Sequence, residues 1–289
     1  MRQLCYVVLV FLALPCLAAE PAGYQDWLQF QQELDQQAGG PTGMYAIQDM
    51  VELSAGETAH LPANKTRWSK TPQSAAIVTV KFADGHAVAS GPGIPSSDLL
   101  ALKGQPLTLA NGLAIKGTLL REKTLKLWLY DARLPAQRKF VALDYFPYDA
   151  KGRITAPFRR NDKPVAVSYL DSREQAGTMY EVGVIDAVID GRKQPLKAMS
   201  YRNDWKDIDA MLVLLRDRTS GKTTYGGGRV VEIAVPKGAP PATVTLDFNL
   251  AYSFLCAHSE FYNCPLVLTN RVDADLAFGE KYPPKLSGG

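Results

Sequence analysis

Four turn dipeptides punctuate the chain: Asp84-Gly85, Asn111-Gly112, Asp190-Gly191 and Ser220-Gly221, each flanked by β-branched or alternating apolar residues. Asn-Gly and Asp-Gly supply the positive φ angles that a tight hairpin requires and a helix does not accommodate. The spacing predicts paired strands over Ala76–Phe82 with His86–Ser90, Leu107–Ala110 with Leu113–Leu120, Met179–Ile189 with Lys193–Tyr201, and Ala210–Arg216 with Arg229–Val235. Leu125–Tyr130 and Thr243–Phe248 read as further strands. Helical spacing is confined to Tyr24–Gln37, where Trp27, Phe30, Gln31 and Leu34 fall on one face ahead of Gly39-Gly40. The expected fold is mainly β, α+β only through that N-terminal helix. It is an antiparallel, hairpin-rich sandwich or barrel, because sheets must stack or close to bury one face. Pro147, Pro157 and Pro164, with Arg159 to Asp162 among them, predict an irregular crossover. Residues 19–289 thus read as a single β-rich domain, with two β-rich halves meeting near 145–165.

The first residues, MRQLCYVVLVFLALPCLAAE, start with Arg2, run apolar from Leu4 to Leu17 and end on small residues. That is the plan of a secretory signal peptide, here residues 1–18, cleaved after Ala18 or Ala19. The run is shorter than the ~20 residues that cross a bilayer, so no transmembrane anchor is expected in the mature form. The protein is therefore expected to be exported, periplasmic or secreted. Cys5 and Cys16 leave with the leader, and Cys256 and Cys264 remain in an oxidising compartment where a disulfide persists. The 32 basic and 29 acidic residues are too evenly balanced for a nucleic-acid binder, and no such partner is expected.

The residues that carry chemistry crowd between Arg216 and Glu280. In Tyr225-Gly226-Gly227-Gly228-Arg229, consecutive glycines let backbone pass close to a ligand and turn amide N–H groups toward an anion. Arg229 has the planar fork that grips a carboxylate or phosphate; the alternative is a strand-entry bulge whose arginine pairs internally, with Asp247 or Glu280. Asp247 and Asn249 would share one face of a strand end, opposite Phe248. They serve either as a polar network that fastens the next loop or as ligand contacts. Tyr252, His258 and Glu280 complete the candidate set for a small-molecule or anionic ligand. Cys256, His258 and Cys264 make three zinc-type ligands where four are usual. With both cysteines oxidised no reactive thiol remains, so a disulfide is expected, and neither metal nor cofactor. Gly221-Lys222-Thr223 ends like a phosphate-binding loop, but Arg216 stands where the first glycine belongs and the context is strand-turn-strand. A hydrolase using carboxylates such as Asp247 and Glu280 is the enzymatic alternative, and a disulfide-stapled envelope scaffold the third reading.

Several segments together resemble the bacterial domain-of-unknown-function family 1684: FVALDYFPYDAKGRITAPF (Phe140–Phe158), LLRDRTSGKTTYGGGR (Leu214–Arg229), LDFNLAY (Leu246–Tyr252), the cysteine pair with Pro265-Leu266, Asn270-Arg271 and Gly279-Glu280. MYAIQDMVELSAGET (Met44–Thr58) is similar to the family's early segment. The resemblance implies a coherent fold and candidate residues, and no reaction. The chain departs from the family at Ser253-Phe254-Leu255, where Asn-Pro is usual, and at His258, where an aromatic is usual. It departs again at Cys264-Pro265-Leu266-Val267-Leu268, where a proline-rich run is usual.

Overall fold

A computed structural model describes residues 20–120, 123–266 and 270–283. The leader, with Cys5 and Cys16, and the departure at Val267-Leu268 lie outside the described residues. Helix α1 runs Tyr24–Gly39 and buries Leu34 and Ala38. It ends where the backbone N–H of Gly40 caps the carbonyl of Gln36, and any side chain at Gly39 would strike the Phe140 ring. No helix among the described residues is long and apolar enough to cross a membrane.

The first sheets use residues 47–131. Strands β1 (Ile47–Leu53), β6 (Leu107–Thr108), β7 (Leu113–Leu120) and β8 (Thr124–Asp131) form one four-stranded sheet in the order β1-β8-β7-β6. Strands β2 (Thr58–Pro62), β3 (Ala76–Ala83), β4 (His86–Gly91) and β5 (Ile94–Asp98) form a second in sequential order. Both give alternate residues to a single core that includes Leu61, Val78, Val80, Leu99, Ile115, Leu125 and Leu127. Asp84 and Gly85 take φ of 52° and 77°, so the β3–β4 turn is the predicted two-residue hairpin with Ala83 opposite His86. Asp190 and Gly191 do the same farther on, with Ile189 opposite Arg192.

The remaining strands form an eight-stranded sheet: β9 (Arg153–Leu170), β10 (Ala176–Ile189), β11 (Arg192–Ser200), β12 (Ala210–Arg216), β13 (Arg229–Ala234), β14 (Thr243–Asp247), β15 (Tyr252–Ser253) and β16 (Asn270–Arg271). Its order is β14-β9-β10-β11-β12-β13-β15, with β16 pairing β12 in parallel. Among the described residues none of the sheets closes into a barrel. One face carries a core of Phe158, Ile185, Met211, Val213, Val231, Leu246 and Leu276, among others.

The expected crossover through the prolines is instead the 18-residue strand β9. Two devices reconcile proline with a ladder. Pro157 stands where pairing with β14 ends, and Phe158 hands its N–H to the carbonyl of Ala242. Pro164 sits in a bulge, since the register with β10 jumps from Val165 opposite Glu181 to Arg160 opposite Gly183. Asn161 donates to the Glu181 carbonyl and accepts from the Trp205 indole at 3.0 Å, which locks the bulge. The Ser220-Gly221 turn is likewise a smaller turn inside the longer connection from β12 to β13, closed by a bridge between Ser220 and Thr224.

Trp205→Phe keeps most of the packing against Phe158 but leaves the Asn161 carbonyl without its donor. We expect a loss of about 1–3 kcal/mol in denaturant unfolding, against a small effect for Leu28→Ala on the exposed face of α1.

Candidate functional site

The alternation of β12 and β13 builds the site. Met211, Val213 and Leu215 point into the large core with Val231 and Ile233. The intervening residues Leu212, Leu214, Val230, Glu232 and Ala234 point the other way and floor a 610 Å³ groove. Helix α1 walls one side with Phe30 and Leu34; the cysteine loop walls the other with Phe254, Leu255, Tyr262 and Cys264. Past Leu214 on the same face stands Arg216, on the wall of a second cavity of 350 Å³ that also takes in Arg173, Tyr225, Gly227, Glu260 and the disulfide. Phe254, Tyr262, Cys264 and Pro265 line both spaces.

The glycine run makes these contacts fit. Gly228 has φ 109°, and a methyl group there would lie 2.7 Å from the Leu215 carbonyl oxygen, 3.3 Å from the Phe254 ring and 3.4 Å from Arg216 Cγ. The Tyr225 ring lies over Gly227, where a side chain would collide with it, and its hydroxyl reaches to 4.0 Å from Cys256 Sγ. Gly226 faces Gly221.

Arg229 lies inside the protein, 1% exposed. Its Nη2 donates to Asp217 Oδ2 at 2.7 Å and to the Leu276 carbonyl at 2.8 Å, and its Nη1 donates to the carbonyl of Phe278. Burial pulls its pKa below the ordinary arginine value, and the Asp217 charge beside it works against that shift. It occupies the core face of β13, where a charge must be matched internally. The pairing is internal, but with Asp217, which the sequence reading did not single out.

Asp247 and Asn249 form a separate network. Asp247 accepts from the Asn249 N–H and side-chain amide at 3.0 and 2.8 Å and from Arg153 at 3.2 Å. Asn249 in turn clasps both backbone groups of Asp149. Strand β14 ends at Asp247, so Phe248 turns into the core, with its ring stacked on Phe278. Glu280 is buried elsewhere. Its Oε2 accepts the Ser253 N–H at 2.8 Å, and its Oε1 stands 3.2 Å from His258 Nε2 without an aligned hydrogen bond. His258 Nδ1 shares a 3.0 Å hydrogen bond with the Tyr45 hydroxyl. Burial, then the Glu280 charge, pushes the Tyr45 phenol upward, and burial alone raises Tyr262 to about 12. Tyr252 packs against Phe30 on the groove wall and is likewise raised, by burial and then by Glu232.

Cys256 and Cys264 are joined, their Cα atoms 6.0 Å apart. The loop between them turns Tyr262 onto Trp128, ring centroids 5.3 Å apart. Lys126, 5% exposed, donates to Asn263 Oδ1 at 2.6 Å and to the Phe261 carbonyl at 3.1 Å. The structure thus gathers Tyr225, Gly227, Tyr252 and the cysteines around the two cavities and places Arg229, Asp247, Asn249, His258 and Glu280 in internal networks. Among the described residues, no group of three or more His, Cys, Asp and Glu side chains is placed to hold a metal ion.

Sequence reasoning missed Arg216, Arg173 and Lys126. Arg216 was legible in one respect: it ends the apolar alternation Leu212, Leu214, Arg216 on a single strand face.

Two measurements test these assignments. Arg229→Lys and Arg229→Ala should both lower stability, the alanine by about 3–5 kcal/mol because Asp217 is left buried and unpaired. A lysine-substituted protein that melts with the wild type would contradict the internal role. Cys256→Ser should cost about 2–3 kcal/mol through the freer unfolded chain, and peptide mapping without reductant should return one linked pair joining residues 256 and 264.

Comparisons with known proteins bear on residues 138–281, which match the family described as "Protein of unknown function (DUF1684)". No curated protein matches. Among solved structures, the solution NMR structure of an uncharacterized protein from Haloarcula marismortui is 29% identical, over 50% of this chain and 78% of that one, with a TM-score of 0.42. The match spans the strand β9 with its bulge, the glycine turn, the cysteine loop and the buried Glu280. Through residues 138–281 the chain belongs to DUF1684, a family of proteins of unknown function.

Proposed function

We propose that the protein is exported and binds a small anionic ligand in the 350 Å³ cavity beside the cysteine loop, with the Arg216 guanidinium as counter-charge. The observation that carries this reading is the state of Arg216. Its Nε is buried without a hydrogen-bond partner, and no ion pair or hydrogen bond reaches its guanidinium from the described residues. A buried donor left unmatched costs roughly 1–3 kcal/mol, a cost that a bound anion removes. Arg173 across the cavity is already engaged, its Nη2 donating to the Glu260 carbonyl at 3.1 Å and its Nη1 3.8 Å from Glu52. The volume lies within the ~300–1,000 Å³ of ordinary small-molecule sites. A disulfide at the mouth fits an oxidising compartment, which supports export. Binding is favoured over hydrolysis because Asp247 and Glu280 sit in separate buried networks instead of facing each other over a cavity.

Titration with inorganic phosphate and with butyrate, followed by NMR, should give saturable shifts at the Arg216 side chain and the Gly227 amide. Arg216→Gln should weaken binding roughly 10- to 100-fold, as expected for a lost charge-assisted pair, without lowering the melting temperature. Equal affinity in that variant, or no shift with either anion, would overturn the reading.

A further inference from the structure

Resting on the anion site just proposed, we infer that the ligand is a single-chain fatty carboxylate, its head at Arg216 and its chain lying in the groove over β12 and β13. The two cavities share Phe254, Tyr262, Cys264 and Pro265 as walls, so a ligand held in one adjoins the other. The floor is one continuous face. Leu214 pairs with Val230, Leu212 with Glu232 and Ala210 with Ala234, and the same face of β12 ends in Arg216. At the ~3.3 Å rise of a strand, the six steps from Arg216 back to Ala210 extend roughly 20 Å, the reach of a long acyl chain. Apolar side chains stay uncovered along its margin: Tyr201 is 54% exposed and Leu255 37%, and Leu266 beside Arg216's cavity is 62% exposed.

Charge sets the polarity of the ligand. The groove holds two carboxylates, and each has a neutral neighbour: Glu33 accepts from Gln29 at 2.7 Å, and Glu232 lies close enough to the Tyr252 phenol to help raise its pKa. Neither calls for a cation. Arg216 is the cavity group without a match among the described residues, and with Arg173 engaged by the Glu260 carbonyl and close to Glu52, one unpaired positive charge faces the head. One charge suits a monoanion, and the guanidinium fork suits the planar carboxylate.

Isothermal titration of the full mature chain with butyrate, octanoate and dodecanoate, each below its micelle concentration, tests the inference. Affinity should rise roughly two- to fourfold per methylene, and Arg216→Gln should weaken the whole series. Leu212→Trp, which fills the groove some four residues from Arg216, should remove the gain from octanoate to dodecanoate while phosphate still binds, and that retained binding reports that the variant is folded. Affinity that is flat with chain length, while phosphate still depends on Arg216, overturns the fatty chain and leaves the anion site standing. Failure of every anion overturns both. Dodecyl phosphate binding more tightly than dodecanoate, or dodecyltrimethylammonium matching it, overturns the carboxylate head.

Discussion

The fold around the site depends on one buried charge. Arg229 is 1% exposed and the Asp217 side chain beside it is as fully buried, and an arginine so far from water is tolerated only when its charge is paired. Both Nη groups donate, to Asp217 and to the carbonyls of Leu276 and Phe278, and only Nε is without a partner among the described residues, so the guanidinium fastens β13 to the C-terminal segment. Two residues on, Glu280 reaches the Ser253 N–H and stands against His258, and His258 reaches Tyr45. A chain of polar contacts therefore joins the glycine turn, the last described residues, the cysteine loop and the start of the first sheet. Without Asp217 the arrangement would leave a bare charge in the core. With it, the surrounding backbone has a rigid frame to lean on.

That frame explains why the cysteine loop can wall a cavity. Seven residues separate the half-cystines, and the loop is held at the disulfide, at His258 from beneath, and at Phe261 and Asn263 by the buried Lys126. Each anchor draws on a different part of the chain. Tyr45 precedes the first strand, Lys126 lies in β8, and Glu280 follows β16. The loop thereby joins the first sheets to the last one, and Tyr262, pressed on Trp128, lies on the boundary of both cavities.

Much of the fold was legible because strand pairing is encoded locally. Asp84-Gly85 and Asp190-Gly191 are turn signals with a stereochemical cause, and both fall where positive φ occurs. The long strand β9 was not legible, since its prolines argue against a ladder and only the partners Ala242, Glu181 and Trp205 show how they are accommodated. The cysteine pairing followed from counting. The site was harder. Arg229 beside three glycines has the composition of an anion site, and the composition is the same whether the side chain points out or in. Asp217, 12 residues back, decides the matter, and nothing in the local sequence marks it as the partner.

The two arginines show how little separates an internal strut from an arginine that faces a cavity. They stand at the same end of the same hairpin, Arg229 opposite Leu215 and Arg216 one residue farther along. Side chains on a strand alternate faces, so that single step puts them on opposite sides of the sheet. The face of Met211, Val213 and Val231 is covered by the large core, and Arg229 at its edge had to find Asp217. The face of Leu212, Leu214 and Val230 is covered only in part, by α1 and the cysteine loop, and Arg216 at its edge meets a cavity with its Nε unmatched. Gly228 makes the second outcome sterically available, since any side chain there would crowd the Arg216 stem and the Phe254 ring. The glycines thus clear space for the arginine on the neighbouring strand, and the arginine that follows them in sequence serves the fold.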